Sequence, residues 1–139
     1  MSPIGATVLR IMLGVFFIAH AYHVYDVLTA ETLAAMINRR LGLPVGDYLT
    51  SYLLIAHFLG GVMLVLGVFT RWAAMANLPI MLGAVVLFHF EQGFFLHGVI
   101  MDAARGKADV AGYEYPLFVL AATMAQCFLG TGALGLTKD

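Results

Sequence analysis

From Leu49 to Phe69 the chain reads LTSYLLIAHFLGGVMLVLGVF, with no formal charge. As a helix these residues, about 21 of them, extend about 31 Å, which matches the hydrocarbon core of a bilayer. Few folds remain open to such a stretch. In lipid every backbone N–H and C=O must be satisfied within the protein, so the segment reads as a transmembrane helix. His57 stands near its middle, followed by Gly60-Gly61 and then Gly67. A histidine at that depth is costly without a partner, and small residues let a second helix backbone approach closely. The other segments are expected to pack around this helix.

Composition extends the same argument to the rest of the chain. The 139 residues are 62% hydrophobic and only 11% charged, against about 25% charged in a soluble domain. The expected class is therefore all-α: an integral membrane four-helix bundle, antiparallel, forming one domain over residues 1–139 with no separate soluble part. A net charge of −1 excludes nucleic acid as a partner, since that calls for a basic face. The single cysteine, Cys127, excludes an internal disulfide and a Cys-rich zinc or iron–sulfur site within the chain. Ala19-His20-Ala21 fits a signal-peptidase pattern. Met1 to Thr7 lacks a basic side chain, however, and Arg10 falls inside the apolar run, so a retained helix is expected.

Four spans are expected, over about residues 4–25, 49–69, 72–96 and 116–136. In the first, Arg10, Gly14, Phe17 and Ala21 recur at helical spacing, which puts Arg10 on a stripe with a small-residue contact point. His20 and His23 share a face near its far end, and Tyr22 and Tyr25 suit an interfacial aromatic belt. Between spans one and two, Thr29 can cap a short amphipathic helix with apolar positions Leu33, Met36, Ile37 and Leu41, stopped by Gly42 and Pro44. Such a helix can lie on the membrane surface or cover the mouth of the bundle. Asn77 and Pro79 are expected to bend the third span, and Pro116 suits the first turn of the fourth.

Alternating helix direction converts these spans into depths. His57 falls about 1–2 Å from the midplane, His89 about 7 Å and His20 about 9 Å, the last two toward the loop side. His23, His97, Glu91 and Glu114 lie further out on that side. All five histidines thus share one membrane half with every acidic residue except Asp139. Taken singly, a membrane histidine is a helix–helix hydrogen-bond partner worth roughly 1–2 kcal/mol. Three on separate helices, His20, His57 and His89, point instead to a cofactor or metal seat. Imidazoles from facing helices ligate haem, copper or zinc, relay protons or contact a quinone. Secondary candidates are His23, His97, Glu91 and Glu114, with Arg10 as a ligand for a lipid phosphate, a partner of Asp139, or a snorkelling side chain. No Glu-x-x-His repeat, His-Glu-x-x-His motif, nucleophile triad or phosphate-binding glycine loop is present.

Arg10-x-x-x-Gly14, Leu41-Gly42-Leu43-Pro44, Gly60-Gly61 with Leu66-Gly67, Thr70-Arg71, Gly112-Tyr113-Glu114 and the glycine-rich end from Gly130 to Asp139 follow one another along nearly the whole chain. In that order they resemble the DoxX family of small four-helix membrane proteins. The chain departs from the family in carrying His57 where an acid often precedes the glycine pair, and Leu136-Thr137-Lys138-Asp139 where Ser-Leu-Asp is usual. The resemblance implies a multi-pass protein of the cytoplasmic (inner) membrane with both termini inside, whereas a Lys/Arg count narrowly favours the loop side as cytoplasmic. It also implies a redox theme, because the family is named from a subunit of thiosulfate:quinone oxidoreductase. The expected function is a membrane subunit of a quinone-linked or haem- or metal-binding redox complex. Its partners would be the lipid bilayer and other membrane or periplasmic subunits, with a second copy in a homo-oligomer as a further expectation. The alternatives are a non-catalytic accessory subunit and a small-solute or metal permease.

Overall fold

The computed structural model describes residues 3–95 and 112–138. Among them every regular element is helical. Helix α1, Pro3–His23, opens with proline in its first turn, where a missing N–H costs nothing. It runs on through a π-helical turn, Val24–Leu28, so that Pro3–Leu28 is one apolar stretch of 26 residues. Thr29 then reverses the chain with φ +68°, and its hydroxyl accepts the N–H of Thr32 to start α2, Ala30–Leu41. This short helix buries Leu33 and Ile37 against Val24, Leu53, Leu54 and Phe88, and Ala34 beside Gly46. Of the two expected placements, it therefore covers the end of the neighbouring helices. Arg40 on its outer side pairs with Glu91 at 2.8 Å.

Gly42 ends α2 in the left-handed region, and Asn38 Oδ1 accepts Gly46 N–H at 2.6 Å to open α3, Gly46–Leu66. A side chain at Gly46 would meet the carbonyl of Ala34. Next comes α4, Thr70–Gly83, with Pro79 inside it, continuing as a π-helical stretch Ala84–His89 and a 3-10 turn Phe90–Gln92. The combined segment Thr70–Gln92 has 23 residues and ends at Gly93, short of the expected Leu96. Last is α5, Glu114–Leu129, with Pro116 in its first turn.

Three of these segments, Pro3–Leu28, Gly46–Leu66 and Thr70–Gln92, are long and apolar enough to cross a membrane. The expectation of a fourth helix reaching Leu136 is corrected. α5 stops after 16 residues, about 24 Å, because Gly130 leaves the helix at φ +69°. The chain beyond it turns back onto α1 and the α3–α4 turn. Ala133 N–H reaches Pro3 O at 3.0 Å and Thr137 N–H reaches Gly67 O at 3.0 Å.

The glycine pair of α3 does two jobs. A Cβ on Gly61 would lie 2.8 Å from Gly14 O of α1, and one on Gly60 would lie 2.7 Å from Asn77 Nδ2 of α4. Backbone meets backbone on one side and a buried amide on the other. The central core of Leu13, Phe17, Leu64, Ala73, Ala74, Met81 and Val119 joins α1, α3, α4 and α5.

Candidate functional site

Among the described residues Arg10 is the largest fully buried side chain, and it does not snorkel. Its Nη1 donates to Leu64 O at 2.6 Å and Val65 O at 2.7 Å, carbonyls of the last turn of α3, the first of which also accepts Gly67 N–H at 3.3 Å. Nε donates to Thr131 O at 2.9 Å, and Nη2 to Leu134 O. A cation at a helix C-terminus suits both the orphan carbonyls and the helix dipole. The geometry makes Arg10 an internal clasp for α3 and the C-terminal segment, and gives it no reach to a headgroup phosphate. Asp139, its other expected partner, lies outside the described residues. Gly67 has to be glycine here: its φ is +71°, and a Cβ would sit 2.9 Å from Arg10 Cζ and 2.6 Å from Gly135 Cα.

Two of the three expected histidines meet. His57, on the middle of α3, is 1% exposed. Its ring centre lies 4.7 Å from that of Phe17 and 5.4 Å from that of His20, both on α1. His20 stands at the exposed edge of this group and stacks on Phe16 at 5.8 Å. Phe16 also meets Tyr115 in the first turn of α5, edge to face at 5.9 Å. His57 Nδ1 lies 2.6 Å from Asn77 Oδ1. Asn77 is itself fully buried, and its Nδ2 donates to Ala56 O at 3.1 Å and Ala73 O at 2.8 Å. One amide thus ties α3 to α4 and holds an imidazole in place.

His89 is not in this group. Its Nδ1 lies 3.1 Å from Gln92 Oε1 on the same chain segment, where the π-helical register of Ala84–His89 carries it. The expected cluster of three is therefore corrected to a pair. Among the described residues no three His, Cys, Asp or Glu side chains are grouped to hold a metal ion. Of the secondary candidates, His23 is exposed at the end of α1 and Glu91 is engaged by Arg40. Glu114 is the half-buried first residue of α5, with its N–H on Phe94 O at 2.9 Å. His97 lies outside the described residues.

Sequence reasoning missed Asn77, which it took only as part of a helix bend. The signal was there: a carboxamide seven residues into a span needs partners in lipid. Two apolar surface grooves, one bounded by Tyr52, Gly60 and Trp72 and the other by Pro79, Leu82 and Leu117, contain neither histidine.

The arrangement is a pair of imidazoles framed by aromatic rings, one of them anchored. Among the described residues it does not supply three metal ligands.

No curated protein and no solved structure matches the chain. The DoxX family model matches residues 5–90, which takes in α1 to α4 and the whole His20–His57–Asn77 group. On that match, covering more than half of its length, the chain belongs to the DoxX family.

Proposed function

We propose that this protein is a small membrane subunit associated with a quinone-linked redox complex, and that His57, with His20 beside it, contacts the quinone head group. The observation that carries this reading is the His20–His57–Asn77 group itself, an anchored imidazole flanked by Phe17 and a second imidazole. A quinone supplies a two-electron, two-proton redox couple soluble in lipid. His57 would accept a hydrogen bond from a hydroxyl of the reduced head group, while Phe16, Phe17 and His20 would offer flat surfaces to its ring. A metal or haem held by His20, His57 and His89 fits less well, because His89 is engaged by Gln92 elsewhere.

The same reading takes the chain as a four-crossing antiparallel helical bundle in the inner membrane, with both termini cytoplasmic. Contacts of Arg10 with Leu64, Gly14 with Gly61 and His20 with His57 run in opposite order along α1 and α3, which supports it. So does the bond from Ala133 to Pro3, which joins the two ends of the chain and calls for an even number of crossings.

The test is quinone content. Protein purified in native-lipid nanodiscs is extracted and its quinone quantified against that of a His57→Leu variant of equal helicity. Near-stoichiometric quinone in the wild type, lost in the variant, is the expected result. No quinone, or an equal amount in both, would overturn the reading. An oxidised-minus-reduced visible spectrum with metal analysis on the same sample checks haem and metal.

A second reading has an observation of its own. Asn77 joins Ala56 O, Ala73 O and His57 across α3 and α4, which is what a helix clasp in a non-catalytic accessory subunit would do. His57→Leu would then loosen the α3–α4 pairing and leave any bound molecule unaffected.

A further inference from the structure

We propose that Asn77 is a positioning residue that holds His57 in its Nδ1–H form, leaving Nε2 as the nitrogen that accepts a hydrogen bond from a lipid-soluble aromatic hydroxyl. This rests on the reading of the imidazole pair as a ligand seat, and it names the atom and the donor chemistry.

The assignment follows from satisfying each atom in turn. Asn77 Nδ2 lies within hydrogen-bonding distance of two carbonyl oxygens, Ala56 O at 3.1 Å and Ala73 O at 2.8 Å. Turning the amide over would place Oδ1 against two acceptors, so its orientation is fixed. Oδ1 therefore faces His57, 2.6 Å from a ring nitrogen. Turning the imidazole over would put a ring carbon at that distance, well inside van der Waals contact. An amide oxygen only accepts, so His57 Nδ1 carries the proton. In the neutral ring Nε2 is then the acceptor.

Nε2 has no hydrogen-bond partner among the described residues. It is also absent from the fully enclosed polar atoms left without one, which are Thr50 Oγ1 and Gln126 Oε1. The nitrogen is therefore not wholly enclosed, although the residue as a whole is 1% exposed. The rings that border His57 are Phe17 and His20, with Phe16 stacked behind His20. An acceptor nitrogen among aromatic faces inside a membrane span selects a hydrophobic ring bearing an O–H donor, and it discriminates against the same ring with the hydroxyl capped.

The test is nitrogen NMR on the full chain with 15N-labelled histidine in nanodiscs, at a pH where the ring is neutral, with His57 assigned by its loss in His57→Gln. The expected wild-type signature is a protonated Nδ1 and an unprotonated Nε2. The probe 4-nonylphenol should move the Nε2 resonance, and its methyl ether should not. Asn77→Asp, which keeps an acceptor, should retain the tautomer. Asn77→Leu should switch His57 to Nε2–H and abolish the response to the phenol. A wild-type Nε2–H tautomer, an unchanged tautomer in Asn77→Leu, or equal responses to the phenol and its ether would overturn the proposal. Should Asn77→Leu fail to fold, the wild-type signature and the two probes decide. Absence of quinone from the purified protein would sink the redox reading without touching the tautomer, so the two failures are distinguishable.

Discussion

A buried guanidinium in a membrane protein needs a physical reason, and the four carbonyls around Arg10 supply it. Leu64 and Val65 are among the last residues of α3, whose carbonyls lack the usual helical N–H four residues on, and Gly67 N–H reaches Leu64 O only at 3.3 Å. Thr131 and Leu134 belong to the C-terminal segment, which cannot form a helix through Gly130, Gly132 and Gly135 and must place its polar groups elsewhere. One cation serves both. Arg10→Met would remove all these donors at once, and buried hydrogen bonds to a charged group are worth about 1.5–3 kcal/mol each. We expect a loss of at least about 3 kcal/mol in reversible unfolding from mixed micelles, with Arg10→Lys intermediate because an ammonium lacks the planar fork. Equal stability of Arg10→Met and wild type would contradict the clasp. The stripe Arg10, Gly14, Phe17, Ala21 was legible from helical spacing, and all four residues are buried. Where the guanidinium goes was not legible. Its partners lie more than fifty residues away, and carbonyls carry no sequence signature.

At the scale of elements, α3 is sided by its two adjacent glycines, which sit about 100° apart on the helix and so face different neighbours. Gly61 opposes the α1 backbone, so Gly61→Leu should force α1 and α3 apart and cost about 1–3 kcal/mol, read as lower unfolding stability in micelles. Gly60 opposes the amide of Asn77, whose Nδ2 would lie 2.7 Å from a Cβ added there. Gly60→Ala should displace that side chain and disturb the His57 nitrogen resonances while changing stability less than Gly61→Leu does. If it leaves the His57 signals unmoved, Asn77 does not depend on Gly60 for its place. The value of the glycine pair was readable from sequence, since small residues in a span signal close approach. The fate of His89 was not. A uniform 3.6-residue period places it by counting from the span centre, and the π-helical stretch Ala84–His89 changes that period just where the histidine falls. The early end of α5 was half legible: a glycine-rich end from Gly130 stood in the sequence, and Gly130 is where the helix stops.

At the scale of the whole molecule, the question is how many times the chain crosses. Three segments are long enough by themselves, and α5, at about 24 Å, is shorter than the usual hydrocarbon core of about 30 Å. Bilayer thinning and flanking structure accommodate such a mismatch at modest cost. The C-terminal segment is held against Pro3 and Thr7 at the start of α1, so the two ends of the described chain share one side of the molecule. Under the four-crossing reading, that side is cytoplasmic, and α2, which covers the opposite ends of its neighbours, faces outward. The check is labelling of single cysteines in a Cys127→Ser background with a membrane-impermeant maleimide on intact cells. A cysteine replacing Arg39 on α2 should react from outside, and one replacing Lys138 should react only after the cells are opened. The reverse pattern would keep four crossings and invert the orientation, in agreement with the narrow Lys/Arg count. Reaction of both from the same side would mean an odd number of crossings between α2 and the C-terminal segment is wrong, and with it the bundle. The outcome also bears on the site. His20 and His57 lie toward the α2 end, so an outward α2 puts the imidazole pair in the outer half of the membrane.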